Sequence, residues 1–236
     1  MRMGRSLRGQ WWKNGNGEPK ERKPMSDENP ADNTIPVFTN NWFDVTARQI
    51  WDTLIPQINP TTILEIGSFE GASACYLIAK CASKGPIELH CVDTWVGGIE
   101  HQKAGDNMTE VERRFLDNTK VAREKVPHPV DLVIHKGLSS TCLAEILSRG
   151  LLNYFDLIYV DGSHQAPDVL SDAVFSFPLL KVGGVMIFDD YLYGRNSRDP
   201  LHGPKCAVDS FLDVYFHKMK IVWSPNSQVV AKKVSN

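Results

Sequence analysis

Four residues with chemically active side chains follow two successive apolar runs of the sequence. Asp161 and His164 come directly after one run, and Asp189 and Asp190 come at the end of the next. Because the carboxyl ends of parallel strands meet at one edge of an α/β sheet, these side chains are expected to converge. Clustered carboxylates repel one another without a cation, and oxygen ligands favour Mg²⁺ or Mn²⁺. Asp161, Asp189 and Asp190 are therefore predicted metal ligands, and the alternative is that one or two of them cap strand ends or bond backbone amides.

His164 is the residue best suited to proton transfer. The ordinary pKa of an imidazole, about 6.5, suits a general base at neutral pH. A single histidine is more often structural, but the acidic residues beside this one favour a catalytic role. His101 and His202 lie in loops predicted at the mouth of the same site, where substrate contact is the alternative to solvent exposure.

A glycine turn earlier in the chain predicts a ligand-binding loop. An apolar run ends in Glu65 and continues into Gly67 and Gly71, with a helical pattern after them. Backbone amides at such a turn can approach a ligand closely, and the following helix N-terminus favours anions. A dinucleotide fingerprint needs G-x-G-x-x-G, but Phe69 and Ala72 occupy its second and third glycine positions. The remaining pattern, E-x-G-x-x-x-G, is typical of proteins that bind S-adenosylmethionine (SAM).

Three further residues are candidates for contact with such a cofactor. Asp93 ends the next predicted strand, 26 residues after Gly67, which suits a carboxylate that binds the two hydroxyls of a ribose. Its alternative role is a turn or helix cap. Trp95 suits either stacking on the cofactor or filling the core. Ser139 suits either a contact with adenine or the cap of the next helix.

Strand and helix patterns alternate from Val37 to the C-terminal region, which predicts parallel pairing with right-handed crossovers. The short apolar strands fit a sheet covered on both faces. We therefore predict an α/β fold: a Rossmann-like, doubly wound, mostly parallel seven-stranded sheet with helices on both faces and a C-terminal antiparallel hairpin. The predicted strands are 61–67, 87–95, 131–136, 155–160, 185–189, 221–224 and 229–233, and the predicted helices are 43–55, 72–84, 110–125, 141–149, 166–180 and 207–217.

Composition excludes several classes of protein. A net charge of −2 gives no overall attraction to nucleic acid or to an anionic membrane. No apolar run approaches the roughly 20 residues of a membrane span, and no apolar core of a secretory signal is present, so a cytoplasmic protein is expected. The five cysteines form no C-x-x-C pair, which argues against a disulfide framework and a structural zinc site.

Residues 1–34 differ from the rest of the chain. They are rich in Arg, Lys, Gly, Asn and Pro and carry almost no aliphatic side chains. Such a segment buries too little apolar surface to offset the entropy lost on ordering, so we predict a disordered basic extension before a domain at 35–236. It is either dispensable or an arm that binds nucleic acid or a protein partner.

Two segments carry a resemblance to a known family. Residues 156–164 read DLIYVDGSH and residues 180–191 read LKVGGVMIFDDY. With the glycine loop, they make residues 40–236 resemble the class I SAM-dependent methyltransferases. Within that class the chain is most similar to the metal-dependent O-methyltransferases of the catechol and caffeoyl-CoA type and to their sugar-methylating relatives. The cofactor-binding residues that the resemblance and the motifs imply are Glu65, Gly67, Ser68, Gly71, Ser73, Asp93, Trp95, Ser139 and Asp161.

The resemblance also implies a reaction. Asp161, Asp189 and Asp190 would bind Mg²⁺ or Mn²⁺, and His164 would take a proton from a hydroxyl that attacks the SAM methyl group. His164 replaces a lysine of the catechol enzymes and Asp190 replaces their asparagine, as in the sugar-methylating relatives, which disfavours a catechol. The expected acceptor is a hydroxyl of a small molecule or sugar.

Alternatives to this function stay open at this point. They are a nicotinamide-dependent oxidoreductase and a non-catalytic protein that binds a cofactor or a partner. A nucleic-acid partner is not expected, and the oligomeric state is left open, including a homo-oligomer.

Overall fold

A seven-stranded sheet lies at the centre of the part of the chain that this computed structural model describes, residues 35–98, 105–225 and 227–236. The strands are β1 Thr62–Ile66, β2 Ile87–Asp93, β3 Val130–Lys136, β4 Phe155–Val160, β5 Leu180–Phe188, β6 Met219–Trp223 and β7 Val229–Lys233. Their spatial order is β3-β2-β1-β4-β5-β7-β6. The first five strands pair in parallel, and β7 lies antiparallel between β5 and β6.

Helices cover both faces of this sheet. Side chains alternate between the two faces of a strand, and along β4 Leu157 and Tyr159 join one apolar cluster while Ile158 and Val160 join the other. The described helices are α1 Trp42–Thr46, α2 Arg48–Ile58, α3 Ala72–Cys81, α4 Met108–Glu124, α5 Ser139–Ser148, α6 Ala166–Leu179 and α7 Lys205–Val214. The first cluster takes side chains from α2, α3 and α4, and the second from α5, α6 and α7. The predicted doubly wound, mostly parallel sheet with an antiparallel C-terminal hairpin is confirmed.

Two elements differ most from the sequence prediction, and the other boundaries shift by up to three residues. The single helix predicted at 43–55 is divided at Ala47, and its second part continues past Pro56 to Ile58. Pro56 lies in the last turn of this helix, which ends where Asn59 adopts φ 48° and donates its N–H to the Ile55 carbonyl. Strand β5 begins at Leu180, before the predicted 185, because Leu180 pairs with Phe155 and residues 181–184 form an irregular part of the strand.

Some predictions fall on residues outside the described ranges. The predicted disordered extension at 1–34 and the mouth residue His101 are among them. In the described ranges, no helix is both long enough and apolar enough to cross a membrane.

Candidate active site

The glycine loop after β1 lies directly against the segment after β4. Gly67 adopts φ +87°, and a Cβ added there would lie 2.1 Å from the Asp161 carbonyl oxygen. The Asp161 N–H donates to the Ile66 carbonyl at 2.8 Å, and the Gly67 N–H donates to the Val92 carbonyl at 2.8 Å. Glycine is required here because two backbones meet at this point. The loop that carries Gly67 and the strand end that carries Asp161 are therefore one packed unit.

Glu65 fixes the shape of that loop from below. Its side chain is fully buried, and its carboxylate accepts hydrogen bonds from the hydroxyls of Ser68, at 2.6 Å, and Ser73, at 2.5 Å. The Cys91 thiol lies 3.4 Å from the same group. Burial raises the pKa of Glu65, and these hydrogen bonds partly oppose that rise because they stabilise the charged carboxylate. Three of the predicted cofactor residues thus bond to one another and hold the loop in place.

Asp93 fixes the loop from the side. Its Oδ2 accepts the N–H groups of Ser68 and Phe69, both at 2.9 Å, and its Oδ1 accepts the Trp95 N–H at 2.8 Å. Phe69 has φ +47°, a costly conformation for a non-glycine residue, and the Trp95 indole N–H also donates to its carbonyl at 3.0 Å. An ionised carboxylate has about four acceptor positions, so Oδ1 retains capacity for a ligand hydroxyl.

Trp95 lies in the core beneath this loop. Only 5% of the residue is exposed, and its ring centroid is 4.8 Å from that of Phe115 on α4. Trp95 therefore fills the core, which is one of the two roles considered for it from the sequence. The side chain supports the loop through its hydrogen bond to Phe69.

An N-terminal segment is tied to the same loop through Glu70. The Glu70 carboxylate is buried and accepts the Thr39 N–H at 2.7 Å and the Thr39 hydroxyl at 2.8 Å, with Arg114 3.1 Å away. The Trp42 ring consequently lies 5.3 Å from the Phe69 ring. Sequence reasoning missed Glu70, because an acid inside a glycine loop is expected to face solvent or ligand.

Ser139 begins α5 at the same edge of the sheet and lies near a buried acid. Asp172 is on α6 and is 1% exposed, and hydrogen bonding from the Ser139 side chain opposes the rise that burial causes in its pKa. Asp172 Oδ1 has no hydrogen-bond partner among the described residues. The helix begins after Leu138, and no side chain caps it. Ser139 therefore interacts with a buried acid on the neighbouring helix. Asp172 was not predicted as part of the site, because an acid within an apolar helix does not indicate which groups it contacts.

Asp172 should make the stability of the protein depend on pH. Burial raises its pKa from 3.8 to about 7, so the folded state retains a proton that the unfolded chain loses. The free energy of unfolding should fall as the pH rises from about 4 to about 7 and stay level above that range. Asp172→Asn should remove this fall and leave the variant more stable at pH 8, by about 4 kcal/mol at most. Urea denaturation of the wild type and Asp172→Asn at several pH values measures the free energy of unfolding.

The control for this prediction is Asp213→Asn, because Asp213 is exposed. Parallel curves of unfolding free energy against pH for the wild type and Asp172→Asn would contradict the prediction.

Asp161, His164 and Asp190 converge at the carboxyl ends of β4 and β5. One potential ligand atom from each lies within 4.8 Å of the others. His164 Nε2 is 2.9 Å from Asp190 Oδ2, and the imidazole packs on the Tyr193 ring at a centroid distance of 4.1 Å. Burial and the neighbouring acids raise the pKa of Asp161 well above its ordinary range. The two carboxylates at this spacing fit a divalent cation, and the imidazole lies beside them.

Asp189, predicted as a metal ligand with the other two acids, lies behind this group. Its Oδ1 accepts the Asp190 N–H at 2.7 Å, and its Oδ2 accepts the Gln228 side-chain amide at 2.8 Å and the Tyr159 hydroxyl. The Tyr159 hydroxyl is also 2.9 Å from Asp161 Oδ2. Protein donors thus engage both oxygens of Asp189. Tyr159 and Gln228 were not predicted, because an aromatic residue inside a strand indicates core and a glutamine beside a turn indicates surface.

The segment after β5 forms the outer side of the site. Tyr193 packs on His164, while Arg195, Arg198 and the predicted mouth residue His202 are exposed. The charged side chains in this segment are available to solvent or to a substrate.

Comparisons with known proteins agree with this architecture. The sequence model of a methyltransferase domain matches residues 64–191, more than half of the chain. The structure is similar to the O-methyltransferase TomG from Streptomyces achromogenes, involved in tomaymycin synthesis and solved in complex with SAM. That match has 17% identity, covers 80% of this chain and 81% of TomG, and gives a TM-score of 0.56.

A second solved structure is the Bacillus cereus O-methyltransferase in complex with SAH, with 15% identity, coverage of 90% of this chain and 84% of that chain, and a TM-score of 0.53. No curated protein matches the sequence. At these identities the structural likeness establishes the fold, and the domain match establishes the family. The chain belongs to the methyltransferase domain family.

Proposed function

We propose that the protein transfers a methyl group from SAM to a hydroxyl of a small molecule or sugar, with Mg²⁺ or Mn²⁺ at the acidic group. The observation that carries the proposal is the contact between Gly67 and the Asp161 backbone. It sets a loop suited to a methyl donor beside a group suited to activating an acceptor. Family membership supports methyl transfer and disfavours the nicotinamide-dependent alternative.

The residues around the glycine loop fit SAM. Among the described residues, Asp93 Oδ1 accepts the backbone amide of Trp95, and a carboxylate oxygen retains capacity for a second donor such as a ribose hydroxyl. Ser139 lies at the same edge of the sheet, where it would face the adenine end, and Gly67 to Gly71 would hold the methionine end. The two similar structures described in complex with SAM or SAH support this choice of cofactor.

Asp161 and Asp190 would hold the metal ion, and Asp189 would join them on release from its protein donors. A divalent cation at this position would lower the pKa of an acceptor hydroxyl. His164 would receive the hydroxyl proton. The Asp190 carboxylate, 2.9 Å from His164 Nε2, stabilises the positive charge that the imidazole then acquires, and the Tyr193 ring holds the imidazole plane.

A methyl-transfer screen tests the proposal. Sugars, catechols and nucleosides are incubated with the protein and SAM, with and without Mg²⁺, and formation of S-adenosylhomocysteine is measured. Turnover of a hydroxyl acceptor is expected. SAM binding by calorimetry without turnover of any acceptor would instead favour the non-catalytic alternative.

Metal removal gives a separate prediction. EDTA treatment should abolish methyl transfer, and added Mg²⁺ or Mn²⁺ should restore it, because Asp161 and Asp190 otherwise repel each other and hold no cation for the acceptor. SAM binding, measured by calorimetry in the same buffer, serves as the control and should persist. Full activity in the chelator would rule out the metal.

Several expectations stay predictions. They are the cytoplasmic location, the oligomeric state and the dispensability of residues 1–34. Methyl transfer by a protein without residues 1–34 would support a dispensable extension, and loss of turnover would favour a functional arm.

A further inference from the structure

A buried tyrosine hydroxyl lies between two acids of the site. Tyr159 is 1% exposed, and its hydroxyl is within hydrogen-bond distance of Asp161 Oδ2 and Asp189 Oδ2. A phenol has one hydrogen to donate, so it can satisfy only one of these oxygens at a time. The other carboxylate oxygen therefore needs a different hydrogen-bond donor or a cation.

Asp189 already has other donors, and they are fixed by the rest of the fold. Gln228 is 1% exposed; its Oε1 accepts the Trp51 indole N–H at 3.2 Å, so its amide group must point towards Asp189. The Trp51 ring packs edge-on against the Tyr159 ring at a centroid distance of 4.7 Å, which prevents the phenol from swinging away. Trp51, Gln228 and Tyr159 form a connected set of buried hydrogen-bonding groups, which we call the back wall of the site.

The back wall competes with a cation for carboxylate oxygens. In the observed arrangement, Gln228 and the Asp190 N–H engage Asp189, and the Tyr159 hydroxyl is shared between Asp161 and Asp189. Each lone pair used by a protein donor is one that a metal ion cannot use. Removing a donor without changing the packing should release oxygen ligands to the cation.

We propose that Tyr159 is a positioning residue that weakens cation binding, because its hydroxyl occupies an oxygen of Asp161 or Asp189 and helps Gln228 to keep Asp189 bonded to the back wall. The proposal rests on the proposed function, since it assumes a divalent cation at the acidic group. As a consequence, the cation should bind weakly enough to exchange with ions in solution. Asp189 would become a metal ligand only when its protein donors release it.

Titration with Mn²⁺ tests this proposal. The electron paramagnetic resonance signal of free Mn²⁺ gives the Kd for the wild type and for Tyr159→Phe, which keeps the ring that packs on Trp51. The variant should bind Mn²⁺ about tenfold more tightly, the change expected when one competing hydrogen bond to a charged group is removed. A merely structural hydroxyl would change thermal stability without tightening the binding of the ion.

Tyr154→Phe is the matched control. The Tyr154 hydroxyl also donates to a carboxylate, Glu88 Oε2 at 2.6 Å, but it precedes β4 and so lies at the opposite end of that strand. Its Kd for Mn²⁺ should match the wild type. Gln228→Met provides a second test, since it removes the amide donor of Asp189 and should also tighten Mn²⁺ binding. If Tyr159→Phe does not fold, this variant decides by the same criterion.

An unchanged or weaker Mn²⁺ affinity in the variants, with measurable binding by the wild type, would overturn the role of Tyr159 and leave the proposed function intact. Failure of the wild type itself to bind Mn²⁺ would overturn the metal part of the proposed function and this inference with it. SAM binding by calorimetry, measured in parallel, shows separately whether the methyl-donor half of the proposed function holds.

Discussion

Replacing His164 by alanine is expected to lower kcat for methyl transfer by about 10²–10⁴-fold, the range expected for loss of a general base. The Kd for SAM should stay within about twofold of the wild type, because the hydrogen bonds that shape the glycine loop come from Glu65 and Asp93. Initial rates with an acceptor found in the methyl-transfer screen measure kcat, and calorimetry measures the Kd for SAM.

His217→Ala is the control for this experiment, because His217 is exposed and lies after α7. It should retain full activity. Wild-type turnover by His164→Ala across the pH range would contradict the role of His164 as the base. Equal losses of turnover and SAM binding would point instead to a structural role.

Replacing Gly67 by alanine is expected to destabilise the fold and abolish SAM binding together. The new Cβ would lie 2.1 Å from the Asp161 carbonyl oxygen and 2.7 Å from the Gly162 Cα, and neither backbone can move without breaking the contact between β1 and β4. The positive φ adds a further cost for any residue with a Cβ. Together these should lower the free energy of unfolding by about 3 kcal/mol or more, measured by urea denaturation.

Gly150→Ala separates the two contributions. Gly150 has φ +82°, close to that of Gly67, but a Cβ there would meet nothing within 4 Å. Its loss of stability therefore measures the conformational cost alone, about 1–2 kcal/mol. If both variants lose the same stability, the backbone contact beneath Gly67 contributes nothing and the two loops are not coupled.

The fold could be predicted because its signals are local. Apolar runs at β1, β4 and β5 are short and nearly continuous, as strands covered on both faces require, and each is followed by a helical pattern. Boundaries were less predictable. Pro56 indicates the end of a helix, yet one more turn forms because the chain leaves through a left-handed residue at Asn59. The irregular start of β5 depends on a partner strand, which no local pattern reveals.

The site was predictable only where residues follow strands. Asp161, His164 and Asp190 come together because they end adjacent parallel strands, which topology requires. The side chain of Asp189 turns to Gln228 because residues 39 positions apart meet where β5 pairs antiparallel with β7, and sequence spacing contains no information about that pairing.

Asp172 and Tyr159 show a second reason why parts of the site could not be predicted from the sequence. Each occupies a position whose periodicity indicates core, and each is buried as that pattern predicts. Their polar atoms matter because of what lies across the packing interface: Ser139 for one, Asp161 and Asp189 for the other. Hydrophobic periodicity reports that a side chain is inside, but not which groups it meets there.

The order in which the chain is made bears on when the back wall can exist. Trp51 is synthesised before Tyr159, and Tyr159 before Gln228, yet each contacts another member of the set. Such contacts between distant segments form late in folding, because long loops must close first. An incomplete chain on the ribosome could therefore fold its glycine loop before Gln228 is present to bond Asp189. The acidic group would acquire its full set of protein donors only with β7, so the cofactor half of the site would be complete before the reactive half.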